Sequence, residues 1–167
     1  MKYFIALLLG VFSLLMHEVK AQDKIDTLKE PKEIPNFIFY TLKDSSAFTR
    51  DSLIKDAPLL FIYFNSECDH CQYETKQIVE YIKYFKGIQI VMASRETQAA
   101  ILAFKEKYHL ERYPIIVLQD GANKMHDYFD FAYIPLIRQY DKKGKLIGAY
   151  SENAHILDLL GNFDEHR

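Results

Sequence analysis

Within the body of the chain the strongest apolar run is Leu59-Leu60-Phe61-Ile62-Tyr63-Phe64. Continuous rather than alternating apolarity marks a strand covered on both faces, the central strand of a sheet with helices around it. The period then changes. Cys71, Ile78, Val79, Ile82 and Phe85 recur at helical spacings, so a helix is expected over residues 71–85, stopped by Lys86-Gly87. Ser66 is expected to cap it, with Asp69 in its first turn. Upstream, residues 36–42 read as a strand, 43–46 as a turn, 47–49 as a short returning strand and 52–55 as one helical turn. Downstream come a strand over 88–93, a helix over 96–108, a strand over 114–118, a turn at Asp120-Gly121 and a short helix over 122–128. Strands over 136–140 and 145–150 form a hairpin about residues 141–144, and a terminal helix over 153–160 closes at Gly161. This is an α/β order that begins with parallel crossovers and ends in an antiparallel pair.

The first residues carry a different signal. Lys2 is followed by an apolar stretch over residues 3–16, broken only by Gly10 and Ser13, and then by Val19-Lys20-Ala21. That pattern predicts a secretory signal peptide over residues 1–21, and hence a periplasmic or otherwise exported protein. The run falls short of the ~20 residues that span a bilayer, so membrane anchoring by this segment is the weaker reading. Residues 22–35, with Pro31 and Pro35, read as an exposed lead-in, and residues 36–167 as one domain. With 49% hydrophobic residues, 12 Tyr and 12 Phe, one real core is within reach. A formal net charge of -2 and the lack of a Lys/Arg block argue against nucleic acid as a partner.

The two cysteines of the chain stand together as Cys68-Asp69-His70-Cys71, at the predicted strand–helix junction. Export permits disulfides. A bridge closing so small a loop constrains the unfolded chain little and adds little stability, so a bond that opens and closes is favoured over a structural one. Backbone N–H groups and the dipole at the helix start favour an anion on Cys68, the expected nucleophile. Cys71, one turn in, is the expected resolving thiol. His70, if protonated, favours the thiolate, while Asp69 and Glu67 oppose it; the alternative for His70 is an exposed loop residue. Glu74 lies three residues after Cys71 on the same helical face. It reads either as the acceptor of the Cys71 proton or as a solvated glutamate paired with a lysine.

Together, the run 59–64, the Cys68–Cys71 pair and Ile134-Pro135 ahead of the hairpin resemble the thioredoxin superfamily, and within it the exported TlpA/ResA-type thiol-disulfide oxidoreductases. The resemblance implies a thioredoxin-like fold: a central mixed sheet flanked by helices, an N-terminal β extension and a βα insertion over 88–128. It implies that Pro135 is the cis-proline facing the dithiol, with Ile134 and Pro135 binding an extended substrate peptide. Glu74 matches the glutamate of the ResA-like branch. The chain departs from the family at Glu67, where a Trp is usual, and at Ile62, where plain thioredoxins bury an Asp. Asn65 stands where a peroxidatic site has a Thr. The expected partners are protein thiols and disulfides and a membrane-bound redox recycling partner, with no cofactor and no resident metal. The competing readings are a thiol-based copper-binding or delivery module, in which Cys68, His70 and Cys71 hold a soft ion, and a non-catalytic binding domain.

Overall fold

A computed structural model describes residues 30–166. The predicted signal peptide and residues 22–29 of the lead-in lie outside the described residues. Seven strands form one mixed sheet in the order β2-β1-β5-β4-β3-β6-β7. In chain order these are β1 (Ile38–Thr41), β2 (Ala47–Thr49), β3 (Leu59–Tyr63), β4 (Gln89–Ser94), β5 (Ile115–Gln119), β6 (Leu136–Tyr140) and β7 (Leu146–Ser151). The helices are α1 (Asp69–Glu80), α2 (Gln98–Lys107), the short α3 (Met125–Tyr128) and α4 (Ile156–Glu165). β3 pairs parallel with β4 and antiparallel with β6, and β5 lies parallel to β4. β1 and β2 form the N-terminal hairpin, attached antiparallel to β5.

Every residue of β3 is buried because both sheet faces are covered. Leu60, Ile62 and Phe64 join a core with Ile78 of α1, Ile101 and Phe104 of α2 and Leu159 of α4. Leu59, Phe61 and Tyr63 point the other way, into a cluster with Phe37, Phe39, Met125 and Phe129. The long helices therefore share one face, and the second face is closed by α3 and aromatic rings. Phe39 and Phe61 stack at 5.9 Å, and Phe61 and Phe129 at 6.0 Å. Such pairs contribute about 0.5–1.5 kcal/mol each beyond area burial, so rings replace a helix as the cover.

Several boundaries differ from the sequence reading for local reasons. Cys68, not Ser66, caps α1: its side chain accepts the Cys71 N–H. The helix ends at Glu80, and Ile82–Phe85 continue as a 3-10 turn. α2 starts at Gln98 because Thr97 is extended and its Oγ1 accepts the Ala100 N–H at 3.3 Å. α4 runs through Gly161, since burial of Ile156, Leu159 and Phe163 carries the stripe past it. The lead-in is only partly exposed. Lys32 O accepts from Leu146 N at 2.9 Å, and Ile34 N donates to Gly144 O at 3.1 Å. Glu30 makes a bidentate pair with Arg138, at 2.6 and 2.7 Å. Arg138 is 4% exposed, and a guanidinium that deeply buried must be paired, so the chain is drawn in to supply the carboxylate.

Where β7 meets α4, Gln139 is fully buried. Its Nε2 donates to Leu159 O at 2.7 Å and its Oε1 accepts from Asn162 Nδ2 at 2.8 Å. Asn162 also donates to the Tyr150 hydroxyl at 2.7 Å. A Cβ on Gly148 would lie 2.4 Å from Gln139 Oε1 and 2.7 Å from Asn162 Nδ2. Gly148→Ala is therefore expected to destabilise the fold by about 1–3 kcal/mol, read as a lowered urea midpoint at unchanged slope. An unchanged midpoint would show that this network does not hold α4.

Candidate active site

The carboxyl end of β3 delivers the dithiol. Asn65 turns the chain: its O accepts from Cys68 N at 3.3 Å and its Oδ1 from Glu67 N at 2.9 Å. Cys68 then takes the cap position of α1, with φ -81° and ψ 117°. Its Sγ accepts the Cys71 N–H at 3.2 Å and lies 2.7 Å from Cys71 Sγ; both are free thiols in the structure. Cys68 is half-buried and Cys71 is 1% exposed. Burial pushes the Cys71 thiol well above its ordinary range, and the contact with Cys68 Sγ adds to the rise. One sulfur is thus reachable and held by the Cys71 N–H, while the other is enclosed.

Ile134 and Pro135 come from the loop before β6. Their peptide bond is the only cis bond among the described residues. Cys68 Sγ lies 3.6 Å from Ile134 O, so the structure brings this pair to the dithiol. Pro135 is buried and Ile134 half-buried, packed between the two core clusters.

Glu74 is 1% exposed, which overturns the solvated, lysine-paired alternative. Desolvation raises its carboxyl to about 7, partly opposed by the Ala154 N–H on Oε2 at 3.2 Å. Its Oε1 has no partner among the described residues. Asp69 and His70 lie in the first turn of α1 and are exposed, as is Glu67. Where plain thioredoxins bury an Asp, Ile62 fills core space at 1% exposure. Among the described residues, no group of three or more His, Cys, Asp or Glu is gathered as a metal site.

The sequence reading missed Glu96. This carboxylate, on the link from β4 to α2, accepts from Ser66 N at 2.6 Å, from Ser66 Oγ at 2.8 Å and from Ser94 Oγ at 3.1 Å. Gln119 of β5 holds the Glu96 carbonyl at 2.8 Å. Gln72 adds a second tie, donating to Ser66 O at 2.8 Å while its Oε1 accepts from Tyr108 and Lys107. The loop leading into Cys68 is fixed on both sides. The signal was positional: sites in parallel sheets collect at the carboxyl ends of strands, and Glu96 follows β4, the parallel neighbour of β3.

No protein-family model matches this sequence, and no curated protein matches it. Solved structures do. A secreted Mycobacterium tuberculosis disulfide oxidoreductase homologous to E. coli DsbE superposes with TM-score 0.64 at 18% identity, over 76% of this chain and 93% of that one. A thiol:disulfide interchange protein of the thioredoxin family from Chlorobium tepidum gives 0.65 at 19%, over 82% and 97%. A peroxiredoxin-like protein from Aquifex aeolicus gives 0.66 at 18%, over 84% and 92%. Identities this low carry the architecture alone. With a parallel β3–β4–β5 core, a closing β6–β7 hairpin and a dithiol at the start of α1, this chain has the thioredoxin-like fold.

Proposed function

We propose that the protein is an exported thiol-disulfide oxidoreductase that exchanges disulfides with protein cysteines. The observation that carries the reading is the asymmetry of the pair: a reachable Cys68 sulfur at a helix start, in contact with an enclosed Cys71 thiol. Only the thiolate attacks, and the Cys68 sulfur is the one of the pair that a partner disulfide can reach, with the Cys71 N–H directed at it. Cys68 attacks one sulfur of the partner disulfide, which breaks and releases a thiol. A mixed disulfide remains. Cys71 gives up its proton and attacks Cys68 Sγ, forming the internal disulfide and releasing the second partner thiol. Two electrons pass from the dithiol to the partner; the reverse sequence oxidises a partner dithiol. We assign the reducing or isomerising direction, the role the TlpA/ResA likeness implies, with a membrane-bound partner restoring the dithiol. Export rests on the signal-like segment 1–21; no described helix is long and apolar enough to cross a membrane.

Buried Cys71 needs a base. Glu74 fits the task, being on the same helical face and buried, with a carboxyl at about 7, where an acceptor works near neutral pH. Ile134 and Pro135 are assigned to the substrate backbone, next to the nucleophile. Asp69 and His70 are assigned to tuning of the potential, since both lie between the sulfurs in sequence.

Cys68→Ser is expected to abolish reduction of insulin disulfides, and Cys71→Ser to accumulate mixed disulfides that run as adducts without reductant. A Cys68→Ser protein as active as the parent would sink the proposal. Glu74→Gln is expected to slow resolution of the mixed disulfide at pH 7 by about tenfold or more, and to remove the inflection near pH 7 from its rate profile. Stability carries a second readout. The unfolded carboxyl ionises near 4.5 and the folded one near 7, so folding loses stability as pH rises between them. Glu74→Gln should remove about 2–3 kcal/mol of that loss between pH 5 and 8, seen in denaturant titrations at the two pH values. A parent and variant with the same pH slope would show that Glu74 does not titrate in this way.

A further inference from the structure

Beside the dithiol, on the sheet face opposite α1, lies a cleft of about 200 Å³. It is bounded by Tyr63 and Asn65 on the loop that leads to Cys68, by Ile134, by Arg95 after β4, and by His126 and Phe131. Two of these residues also touch the nucleophile: Ile134 O is 3.6 Å from Cys68 Sγ, and Asn65 O accepts the Cys68 N–H. The cleft therefore adjoins Cys68, sharing Asn65 and Ile134 with its surroundings. It is smaller than the ~300–1,000 Å³ of small-molecule sites, so it suits one side chain rather than a cofactor.

Among the residues that line it, Arg95 carries the one full charge. Arg95 is exposed, and no ion pair engages it among the described residues. Asp120, behind Tyr63, is already committed. Its Oδ2 accepts from the Tyr63 hydroxyl at 3.1 Å and from Met125 N at 3.0 Å, and its Oδ1 from Lys124 N at 2.8 Å. Glu67 and Asp69 line no part of the cleft. Phe131 is held between Tyr63, at 5.7 Å, and His126, stacked at 4.3 Å and 4°. That wall is firm and can cover an aliphatic stem.

We propose that this cleft is a specificity subsite for an acidic side chain adjoining the substrate cysteine, with Arg95 pairing its carboxylate and the His126–Phe131 stack covering its methylenes. The inference rests on the exchange reading and names the substrate class for it: exported proteins whose reactive cysteine has a neighbouring Glu or Asp. Arg presents a planar fork that fits a carboxylate, and a rim charge of this kind sorts partners by attraction and repulsion together.

The test uses the reduced protein and three disulfide-linked peptide dimers that differ only in Glu, Gln or Lys beside the cysteine. Each exchange rate is normalised to the rate of the same peptide with dithiothreitol, which removes intrinsic differences in thiol reactivity. At low ionic strength the Glu peptide should react about tenfold faster than the Lys peptide, and the ratio should shrink with added salt. Arg95→Glu should reverse the order, and Arg95→Lys should keep it. Equal normalised rates, or a Glu preference that survives Arg95→Glu, would overturn the subsite and leave exchange itself standing. If the parent protein reacts with none of the peptides, the exchange reading falls and the subsite falls with it.

Discussion

A helix that begins at Asp69 must satisfy its first N–H groups, and a sulfur does part of that work: Cys68 Sγ accepts the Cys71 N–H at 3.2 Å. Much of the site follows from this contact. The sulfur that caps the helix is also the one left within reach of solvent. The same geometry puts the two sulfurs in contact and sends Cys71 inward, against Ile78 and the core of the α1 face. Capping, contact between the sulfurs and burial of the second thiol are one arrangement.

Burial then divides the ionisable groups by task. Cys68 stays reachable, while Cys71 and Glu74 are both 1% exposed and both are shifted up by desolvation. Both therefore lie on the buried side of α1, three residues apart, each shifted towards its protonated form by its own desolvation. Above them Ser66 is gripped at 2.6 and 2.8 Å by the Glu96 carboxylate, so the loop that carries the nucleophile has little freedom to drift. Charge-assisted bonds of that length are about twice as strong as neutral ones, enough to hold a loop otherwise made of turns.

The scaffold was legible because its pattern is simple. Continuous apolarity over residues 59–64 identified β3, and the change of period after it identified α1. The β6–β7 hairpin followed from Asp141 to Gly144, where φ at Gly144 is 76°. What escaped was set by distant contacts. Ser66 looks like a helix cap, yet its N–H and hydroxyl serve Glu96, thirty residues away, and the cap passes to Cys68. Gly161 looks like a stop, yet burial of Phe163 carries α4 through it. The lead-in looks exposed, yet Arg138 recruits Glu30. Of the site, Cys68, Cys71 and Pro135 could be named from spacing and likeness. The burial of Glu74 could not, because a glutamate on a helix face gives no sign of what packs over it.

The Glu96 grip also ties the loop before Cys68 to the sheet beneath it. Ser94 and Gln119 lie on β4 and β5, and Glu96 on the link from β4 to α2, so the strands on one side of β3 together steady the approach to Cys68. Loosening either strand would slacken the hold on Ser66 as well, so the stiffness of the sheet is passed on to the loop that carries the dithiol.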